Sequence, residues 1–359
     1  MKKLFGILTF HNANNYGAAL QAYALQRFLR DIYGDGLVDV IDYKCAGVRK
    51  QDSLRDYVAR QGVIRGTVRY SLAHSRIKKI AAFCRENMSL SKQISTRKEL
   101  PDIAADYEVI ISGSDQVWNR KWTGGEDTYL QDFHNDNRKK VSYAASFGLA
   151  QLPSEWVDDY RRLLGDFSHI SVREEPGKNI VRSLLNRESD VHLDPTLLHT
   201  RANWNAVAEK SKSKHSRKFV LAYMVPYQKS VHAKAKELAK RNGLDLLVVC
   251  KSLRNLFRKN AAVDEVVSMF RDAEYVVTNS FHGTAFSIIY QKKFIIELDN
   301  KWGYNIRSAQ LIKKFNISDL SGNPKFLECF NVDWENVEAV IESERVRTRR
   351  FFESAIEQV

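Results

Sequence analysis

The sequence predicts an α/β protein with two Rossmann-like, doubly wound domains that face a cleft. Short apolar strands alternate with helical segments, beginning with residues 4–10 and 17–31. This alternation restarts after Asp194-Pro195, at residues 219–223. Continuously apolar strands are typical of parallel sheets that helices cover on both faces. The length of 359 residues also suggests two domains, at roughly 150 residues each.

The individual elements follow from local composition and periodicity. Short runs rich in β-branched and aromatic residues predict strands, at residues 4–10, 38–43, 108–112, 140–145, 169–173, 219–223, 244–249, 275–278 and 294–298. Apolar residues that recur at helical spacing predict helices, at residues 17–31, 54–85, 229–241, 282–290 and 334–356. In the first helix, for example, Leu20, Ala24 and Phe28 share one face.

The domain boundary is predicted near residue 200. A proline and then a polar run rich in Lys and Ser, residues 209–217, follow the last strand of the first series. Such a run is typical of a solvated loop. We therefore expect an N-terminal domain at residues 1–200, with a basic helical insertion at 54–100, and a C-terminal domain at 201–359 that ends in a helix.

The chain is basic, with 56 Lys and Arg against 43 Asp and Glu and a formal net charge of +13. Such a balance favours anionic partners. Residues 54–85 carry eight basic residues and a single acid, Asp56, interleaved with apolar residues at helical spacing. A helix of this kind either lies on an anionic membrane surface or packs its apolar stripe against its own domain. The sequence leaves both interpretations open.

Several classes of site and partner are not expected. The four cysteines, Cys45, Cys84, Cys250 and Cys329, lie far apart, which predicts reduced thiols in a cytoplasmic protein and no zinc site. No other metal-ligand cluster is evident. No run approaches the ~18 apolar residues of a membrane span. Because no zinc finger, helix-turn-helix or RNA-binding aromatic motif accompanies the basic charge, no nucleic-acid partner is expected.

The first candidate site is the loop between the first predicted strand and helix. Asn12, Asn14 and Asn15 precede a helix that opens at Gly17. Amide side chains can bind sugar hydroxyls or phosphate, and free N–H groups at a helix N-terminus favour anions. The alternative is a capped turn without a ligand.

Two further candidates also follow predicted strands, where ligands bind in open α/β sheets. Ser114 and Asp115 come after the strand at 108–112, although Asp115 could simply cap a helix. Arg173 ends the strand at 169–173 and offers a planar fork to carboxylate or phosphate. The alternative for Arg173 is a salt bridge with the adjoining Glu174 or Glu175.

The fourth candidate is the segment Ser280-Phe281-His282-Gly283-Thr284, which links a strand to a helix. A histidine in the first helical turn is placed to face the cleft. Histidine is well suited to proton transfer near neutral pH. A single histidine is more often structural, but this placement favours a catalytic role.

These pieces, in this order, resemble the polysaccharide pyruvyltransferase family. The resemblance extends from residue 5 to about 298 and rests on short strings that fall at strand ends, namely Asn14-Asn15-Tyr16-Gly17-Ala18-Ala19-Leu20-Gln21-Ala22-Tyr23-Ala24-Leu25, Gly113-Ser114-Asp115-Gln116-Val117-Trp118, Tyr143-Ala144-Ala145-Ser146-Phe147-Gly148, Ser171-Val172-Arg173-Glu174, Asp194-Pro195-Thr196 and Ser280-Phe281-His282-Gly283-Thr284.

The resemblance implies a GT-B-like pair of domains and a ketal-forming transferase. The donor would be phosphoenolpyruvate, with no other cofactor, and the acceptor a sugar of a cell-surface polysaccharide or its lipid-linked precursor. His282 would transfer the proton. The resemblance and the strand-end placement together suggest donor-binding residues Arg173, Ser280, Gly283, Thr284 and Arg307, and acceptor-binding residues Asn12, Asn14, Asn15, Gly17, Ser114 and Asp115.

The chain departs from the family pattern at one position. Some members carry Arg-Leu-His-Gly where this chain has Ser280-Phe281-His282-Gly283. That arginine would hold a phosphate or carboxylate. Arg307 or Lys301, which follow the last predicted strand, are candidates to replace it.

Two other functions are weighed against this one. A GT-B-type glycosyltransferase would need a Glu or Arg in the C-terminal half to hold the ribose or diphosphate of a nucleotide sugar, and no clear pair is evident. A non-catalytic nucleic-acid binder would rest on charge alone. We expect a cytoplasmic protein, with peripheral contact at the inner face of the membrane as a further hypothesis; the sequence leaves the oligomeric state open.

Overall fold

The computed structural model describes residues 2–134, 140–213, 215–250, 260–298, 306–318 and 324–357. The chain divides into two compact units. The first unit comprises Met1–Leu198 together with Ser343–Val359, and the second comprises His199–Glu342. Each unit contains its own mainly parallel sheet flanked by helices. The prediction of two Rossmann-like α/β domains is therefore confirmed.

The strands and helices alternate through most of the chain, as the sequence predicts. The described strands are β1 Lys3–Leu8, β2 Val38–Val40, β3 Tyr107–Ser112, β4 Lys140–Ala145, β5 His169–Val172, β6 Asp190–Val191, β7 Phe219–Met224, β8 Asp245–Cys250, β9 Tyr275–Thr278, β10 Lys293–Glu297 and β11 Phe326–Cys329. The described α-helices are α1 Tyr16–Tyr33, α2 Ala46–Gln51, α3 Leu54–Gln61, α4 Val63–Asn87, α5 Leu100–Ala104, α6 Arg120–Thr123, α7 Val157–Gly165, α8 Glu175–Leu185, α9 Arg201–Ala208, α10 Lys229–Asn242, α11 Val263–Asp272, α12 Phe281–Ile289, α13 Ile306–Lys314 and α14 Trp334–Glu357.

In the first unit, the sheet has the strand order β2-β1-β3-β4-β5-β6. Every neighbouring pair is parallel, with Phe5 of β1 facing Val38 on one side and Val109 on the other. All six residues of β4 are buried because helices cover both faces of the sheet. The order reverses between β1 and β3, which is the topological switch point of a doubly wound sheet.

In the second unit, the sheet has the order β11-β10-β9-β7-β8. Its strands are parallel except β11, which pairs antiparallel with β10 at the edge. The order reverses between β7 and β9, so the second unit has a switch point of the same kind. The apolar strand β7 is buried along its whole length and anchors the core of this unit.

Two elements differ from the sequence predictions. The predicted helix at residues 54–85 is two helices, α3 and α4, that meet at Gly62, where φ is +77°. The sequence predicts that the C-terminal helix belongs to the second domain, which is wrong for its residues from Ser343 onward, because these belong to the first unit. The physical reason is aromatic packing, because the Phe352 ring lies 5.1 Å from that of Tyr143 and 5.9 Å from that of Phe5.

Candidate active site

The predicted acceptor residues of the first unit lie at its switch point. Asn12, Asn14 and Asn15 follow β1, whereas Ser114 and Asp115 follow β3. Since β1 and β3 are parallel neighbours, their carboxyl ends lie at the same edge of the sheet. This is the edge at which ligands bind in open α/β sheets.

Two of the predicted acceptor residues bond to each other at the start of helix α1. Asn15 is its N-cap, and the Asn15 Oδ1 accepts a hydrogen bond of 3.1 Å from the Gly17 N–H. The capped-turn alternative therefore describes Asn15 and Gly17. Their acceptor-binding roles stay predictions, but the Gly17 N–H already has a protein partner.

The other two loop asparagines contact neighbouring parts of the first unit. Asn12 Nδ2 donates to Asp42 Oδ1 at 3.2 Å, and His11 Nε2 lies 3.0 Å from the same oxygen. Asn14 Oδ1 accepts from Arg76 Nη1 at 3.4 Å, so the basic insertion reaches this loop. Sequence reasoning gave no signal for Arg76 because it is one of eight basic residues in its stretch.

Arg173, Asp115, Glu174 and Asp194 form a buried ionic cluster at the same edge of the sheet. Arg173 Nη1 lies 2.9 Å from Asp194 Oδ2, its Nη2 lies 3.6 Å from Asp115 Oδ1, and its Nε lies 3.7 Å from Glu174 Oε2. Ser114 Oγ donates to Ala144 O at 2.9 Å and to Asp194 Oδ2 at 3.3 Å. The structure thus brings Arg173, Ser114 and Asp115 together.

The electrostatics of this cluster bear on the role of Arg173. Burial acts to lower the pKa of Arg173, but the negative charges of Asp194, Asp115 and Glu174 outweigh it and raise that pKa. The salt-bridge alternative is confirmed for Glu174. Three carboxylates therefore lie within 4 Å of this one guanidinium. A donor-binding role for Arg173 stays a prediction.

Asp194 and Glu174 are the residues of this cluster that are not among the predicted site residues, and Asp194 makes the shortest contact with Arg173. Its Oδ1 accepts from the Thr196 N–H at 3.0 Å and from Thr196 Oγ1 at 2.7 Å, while its Oδ2 faces Arg173. The string Asp194-Pro195-Thr196 carried the signal in the sequence, but nothing there indicated that its carboxylate would pair with Arg173.

The second unit places the histidine motif at its own switch point. Asn279 follows β9, and Val225 follows β7. The Oδ1 of Asn279 accepts a hydrogen bond of 3.0 Å from the Val225 N–H. Asn279 Nδ2 donates to Pro226 O at 3.0 Å. Thr278 Oγ1 donates to Tyr223 O at 2.7 Å and accepts from the Ser280 N–H at 3.0 Å. These bonds fix the backbone immediately before the motif.

His282 occupies the first turn of α12 and is 6% exposed. Its ring lies edge-on to that of Phe281, at 5.2 Å between centroids. A side chain could not be accommodated easily at Gly283, because a Cβ there would lie 2.1 Å from Thr278 Oγ1. The glycine therefore lets the start of α12 pack directly against the end of β9.

The remaining predicted donor residues lie around the start of α12. Thr284 Oγ1 donates to Ser280 O at 3.1 Å and to Ser308 Oγ at 3.4 Å, which brings α13 beside α12. The guanidinium of Arg307 lies 5.5 Å from the centre of the Phe281 ring. Arg307 is therefore next to the histidine motif, whereas Lys301 lies outside the described residues.

Comparison with known families decides what kind of protein this is. The family model described as polysaccharide pyruvyl transferase matches residues 15–296, which is most of the chain. The chain belongs to this family. A comparison with curated proteins finds no match. As a polysaccharide pyruvyl transferase, the protein is a transferase enzyme whose acceptor is a sugar or polysaccharide.

The family match covers most of the candidate site. Within it lie Asn15, Gly17, Ser114, Asp115, Arg173 and the segment 280–284. Asn12, Asn14 and Arg307 lie beyond its ends, so the family match does not bear on these three residues of this pyruvyl transferase. Among the described residues, no group of three or more His, Cys, Asp or Glu side chains is arranged to hold a metal ion. Nor is any described helix long and apolar enough to cross a bilayer.

Proposed function

We propose that the protein transfers the pyruvyl group of phosphoenolpyruvate to two hydroxyls of one acceptor sugar, forming a pyruvate ketal. The acceptor belongs to a cell-surface polysaccharide or its lipid-linked precursor. The observation that carries this proposal is the placement of His282 in the first turn of α12, with Arg307 beside Phe281, in a chain of the pyruvyl transferase family.

The chemistry requires one proton donor and stabilisation of two anionic groups. Protonation of the methylene carbon of phosphoenolpyruvate produces a methyl group and an oxocarbenium-like centre at the neighbouring carbon. One sugar hydroxyl attacks that carbon and loses its proton, the carbon–oxygen bond to phosphate breaks, and the second hydroxyl closes the ketal. The two hydroxyl protons balance the proton delivered to carbon and the proton carried away with phosphate.

The second unit supplies the groups suited to the donor. His282 is the proposed acid, because an imidazole exchanges protons near neutral pH. Arg307 is the proposed replacement for the arginine that some relatives carry before the histidine, because its guanidinium lies against Phe281. Ser280, Gly283 and Thr284 surround the helix N-terminus, whose positive dipole end favours phosphate or carboxylate.

The first unit supplies groups suited to hydroxyls. Asn12, Asn14 and Asp115 carry amide and carboxylate groups at one edge of the sheet. Ser114 is fully buried beside them, where its hydroxyl bonds to Ala144 and Asp194. In this proposal Arg173 holds Asp115 in place through the ionic cluster, in addition to its predicted role toward the donor. No metal or further cofactor takes part, and we place the reaction in the cytoplasm, where phosphoenolpyruvate is available.

Phosphate release tests the reaction. Purified protein is incubated with phosphoenolpyruvate and a panel of hexosides with pairs of free hydroxyls, with and without a metal chelator. We expect release only when an acceptor is present, and no loss on chelation. Two results would contradict the proposal. One is release of phosphate without any acceptor, and the other is no release of phosphate either with any hexoside of the panel or with the polysaccharide precursor.

Variants test the assigned residues. His282→Gln should lower kcat by about a hundredfold or more, as expected for loss of general acid catalysis. Arg307→Gln should raise the KM for phosphoenolpyruvate by about tenfold or more, because a charged hydrogen bond is lost. The matched controls are His232→Gln and Arg241→Gln, which alter α10 of the same unit. Full activity in the His282 variant would remove His282 from the mechanism.

Thermal shift separates this proposal from a glycosyltransferase. Phosphoenolpyruvate should raise the melting temperature of the wild-type protein and raise it less in the Arg307 variant. Stabilisation by a nucleoside diphosphate, with no response to phosphoenolpyruvate, would instead support a nucleotide-sugar donor.

A further inference from the structure

The basic insertion of the first unit exposes apolar side chains at one end. Helices α3 and α4 meet at Gly62, and the first two residues of α4 are Val63 and Ile64, which are 71% and 82% exposed. Val68, one turn further along the Ile64 face, is 37% exposed. Most of the exposed large hydrophobic side chains of the described residues lie in this insertion. We call residues 59–68 the hairpin tip.

The hairpin tip belongs to a packed pair of helices. A Cβ at Gly66 would lie 2.6 Å from Val58 Cα and 2.7 Å from Tyr57 O, so the two backbones are in close contact. The Tyr57 and Tyr70 rings also meet edge to face, at 6.1 Å between centroids. The apolar side chains are therefore presented by a fixed helical hairpin.

The charges around the hairpin tip are almost all positive. Arg55, Arg60 and Arg65 are exposed, and Arg69 is partly exposed. The one acid of the stretch, Asp56, forms an ion pair with Arg60. Arginines beside exposed apolar residues are the pattern of a surface that binds anionic lipid, where aliphatic side chains enter the interface and cations face the headgroups.

We propose that the α3–α4 hairpin docks the protein on an anionic bilayer surface, with Val63 and Ile64 inserted at the level of the headgroups. Charge complementarity selects this occupant. A second copy of the chain that met the same tip would bring arginines against arginines, which opposes association. If α4 packed its whole apolar stripe against its own unit, Val63, Ile64 and Val68 would be buried, but all three are exposed.

The docking surface is connected to the acceptor loop through one helix. Ile64 and Arg76 are twelve residues apart in α4, which corresponds to about 18 Å along the helix axis. Arg76 contacts Asn14 of the acceptor loop. A docked hairpin would therefore hold this loop within reach of a saccharide that is attached to a lipid. This last step rests on the proposed function, whereas docking itself does not.

Vesicle co-sedimentation of the full chain tests the docking. The vesicles contain either phosphatidylcholine alone or phosphatidylcholine and phosphatidylglycerol in equal parts. We expect binding to the anionic vesicles that weakens as salt is raised, and little binding to the neutral ones. Because no substrate is present, this result is independent of the pyruvyl transfer reaction.

Two pairs of variants identify the surface. Val63→Ser with Ile64→Ser should lower the partition coefficient by about tenfold or more, since two exposed aliphatic side chains are lost from the interface. Arg55→Gln with Arg65→Gln should lower it by about twenty-five-fold, at roughly a factor of five for each charge. The controls are Val346→Ser on α14, and Lys236→Gln with Lys240→Gln on α10, all exposed positions.

Three outcomes would overturn the proposal. The first is absence of binding to anionic vesicles, and the second is binding that both pairs of hairpin variants leave unchanged. The third is self-association of the wild-type chain that the Val63 and Ile64 changes abolish, without any vesicle binding. The last would assign the tip to a second copy of the chain. Turnover of a water-soluble hexoside should be the same in the hairpin variants as in wild type, so a failure of the proposed reaction appears separately.

Discussion

Single residues in the ionic cluster obtain their partners from distant parts of the chain. Arg173 and Asp194 are 21 residues apart, and Asp194 and Ser114 are 80 apart. A buried guanidinium is tolerated because carboxylates surround it, and each carboxylate is in turn hydrogen-bonded. At the scale of the residue, stability and the candidate site therefore depend on the same side chains.

Asp194→Ala should lower the free energy of unfolding of the first unit by about 2–4 kcal/mol, because it leaves a buried guanidinium with one fewer partner. The matched control is Asp190→Ala, which removes an exposed ion pair to Arg347 and should cost less than about 1 kcal/mol. Urea unfolding followed by circular dichroism measures both. Equal effects in the two variants would show that the cluster contributes no more than a surface pair.

Gly283→Ala should destabilise the second unit by about 1–3 kcal/mol, since the new methyl group would overlap Thr278 Oγ1. Gly165→Ala is the control, because nothing lies within 4 Å of a Cβ there and alanine is the better helix former. Thermal unfolding should show a lower midpoint for the first variant and an unchanged or higher one for the second. A neutral Gly283 variant would contradict the close packing of α12 on β9.

At the scale of the element, strand ends and helix starts position the candidate site residues. In the first unit the loops after β1 and β3 meet at the switch point, and in the second the loops after β7 and β9 do so. The same strand order thus places two sets of polar side chains, one in each unit, where ligands bind in doubly wound sheets. Helix α14 shows the converse, because its last turns contribute no predicted site residue and hold to the first unit through aromatic packing of Phe352, a hydrogen bond between Thr348 and Tyr143 and an ion pair between Arg347 and Asp190.

Phe352→Ala should destabilise the first unit by about 3–5 kcal/mol, because it removes a fully buried ring that packs against Phe5 of β1 and Tyr143 of β4. Val346→Ala changes an exposed position of the same helix and should have little effect. Hydrogen exchange read by mass spectrometry should show faster exchange in β1 and β4 and no change in β7 and β9. Uniform loss of protection in both units would contradict the assignment of residues 343–359 to the first unit.

At the scale of the whole molecule, the burial of cysteine thiols and tyrosine hydroxyls raises their pKa and predicts that the folded protein loses stability at alkaline pH. Burial raises the pKa of the Cys84 and Cys329 thiols to about 12, and burial followed by the charge of Glu353 raises the pKa of Tyr33 to about 12. Burial also raises the pKa of Tyr107 and Tyr143. The folded protein keeps these protons at pH values where the unfolded chain has released them.

In the unfolded chain the pKa is about 8.5 for Cys and about 10 for Tyr. Below these values the groups should not affect the free energy of unfolding. As pH rises from these values toward 12, the free energy of unfolding should fall. Melting temperatures between pH 7 and 11 measure this, with recovery on return to neutral pH as the control against covalent damage. Tyr33→Phe should make the decline shallower. A melting temperature that stays constant to pH 11 would contradict the burial of these groups.

The sequence by itself determined the fold class and the positions of the candidate site, because both depend on local signals. Continuous apolar runs specify buried parallel strands, and polar side chains directly after them specify strand-end loops, so the Asn12–Gly17 loop, Asp115 and His282 could be proposed as site residues without coordinates. The chain also carried enough of the family's short strings to indicate its family.

Only the tertiary structure decided the partners of these residues. Strand order places Asp194 against Arg173, and packing places Arg76 against Asn14, Arg307 against Phe281 and Phe352 against the first sheet. A break at Gly62 turned one predicted amphipathic helix into a hairpin with an exposed tip. Side-chain partners across large sequence separations follow from how elements pack, and hydrophobic periodicity along the chain carries no information about that packing.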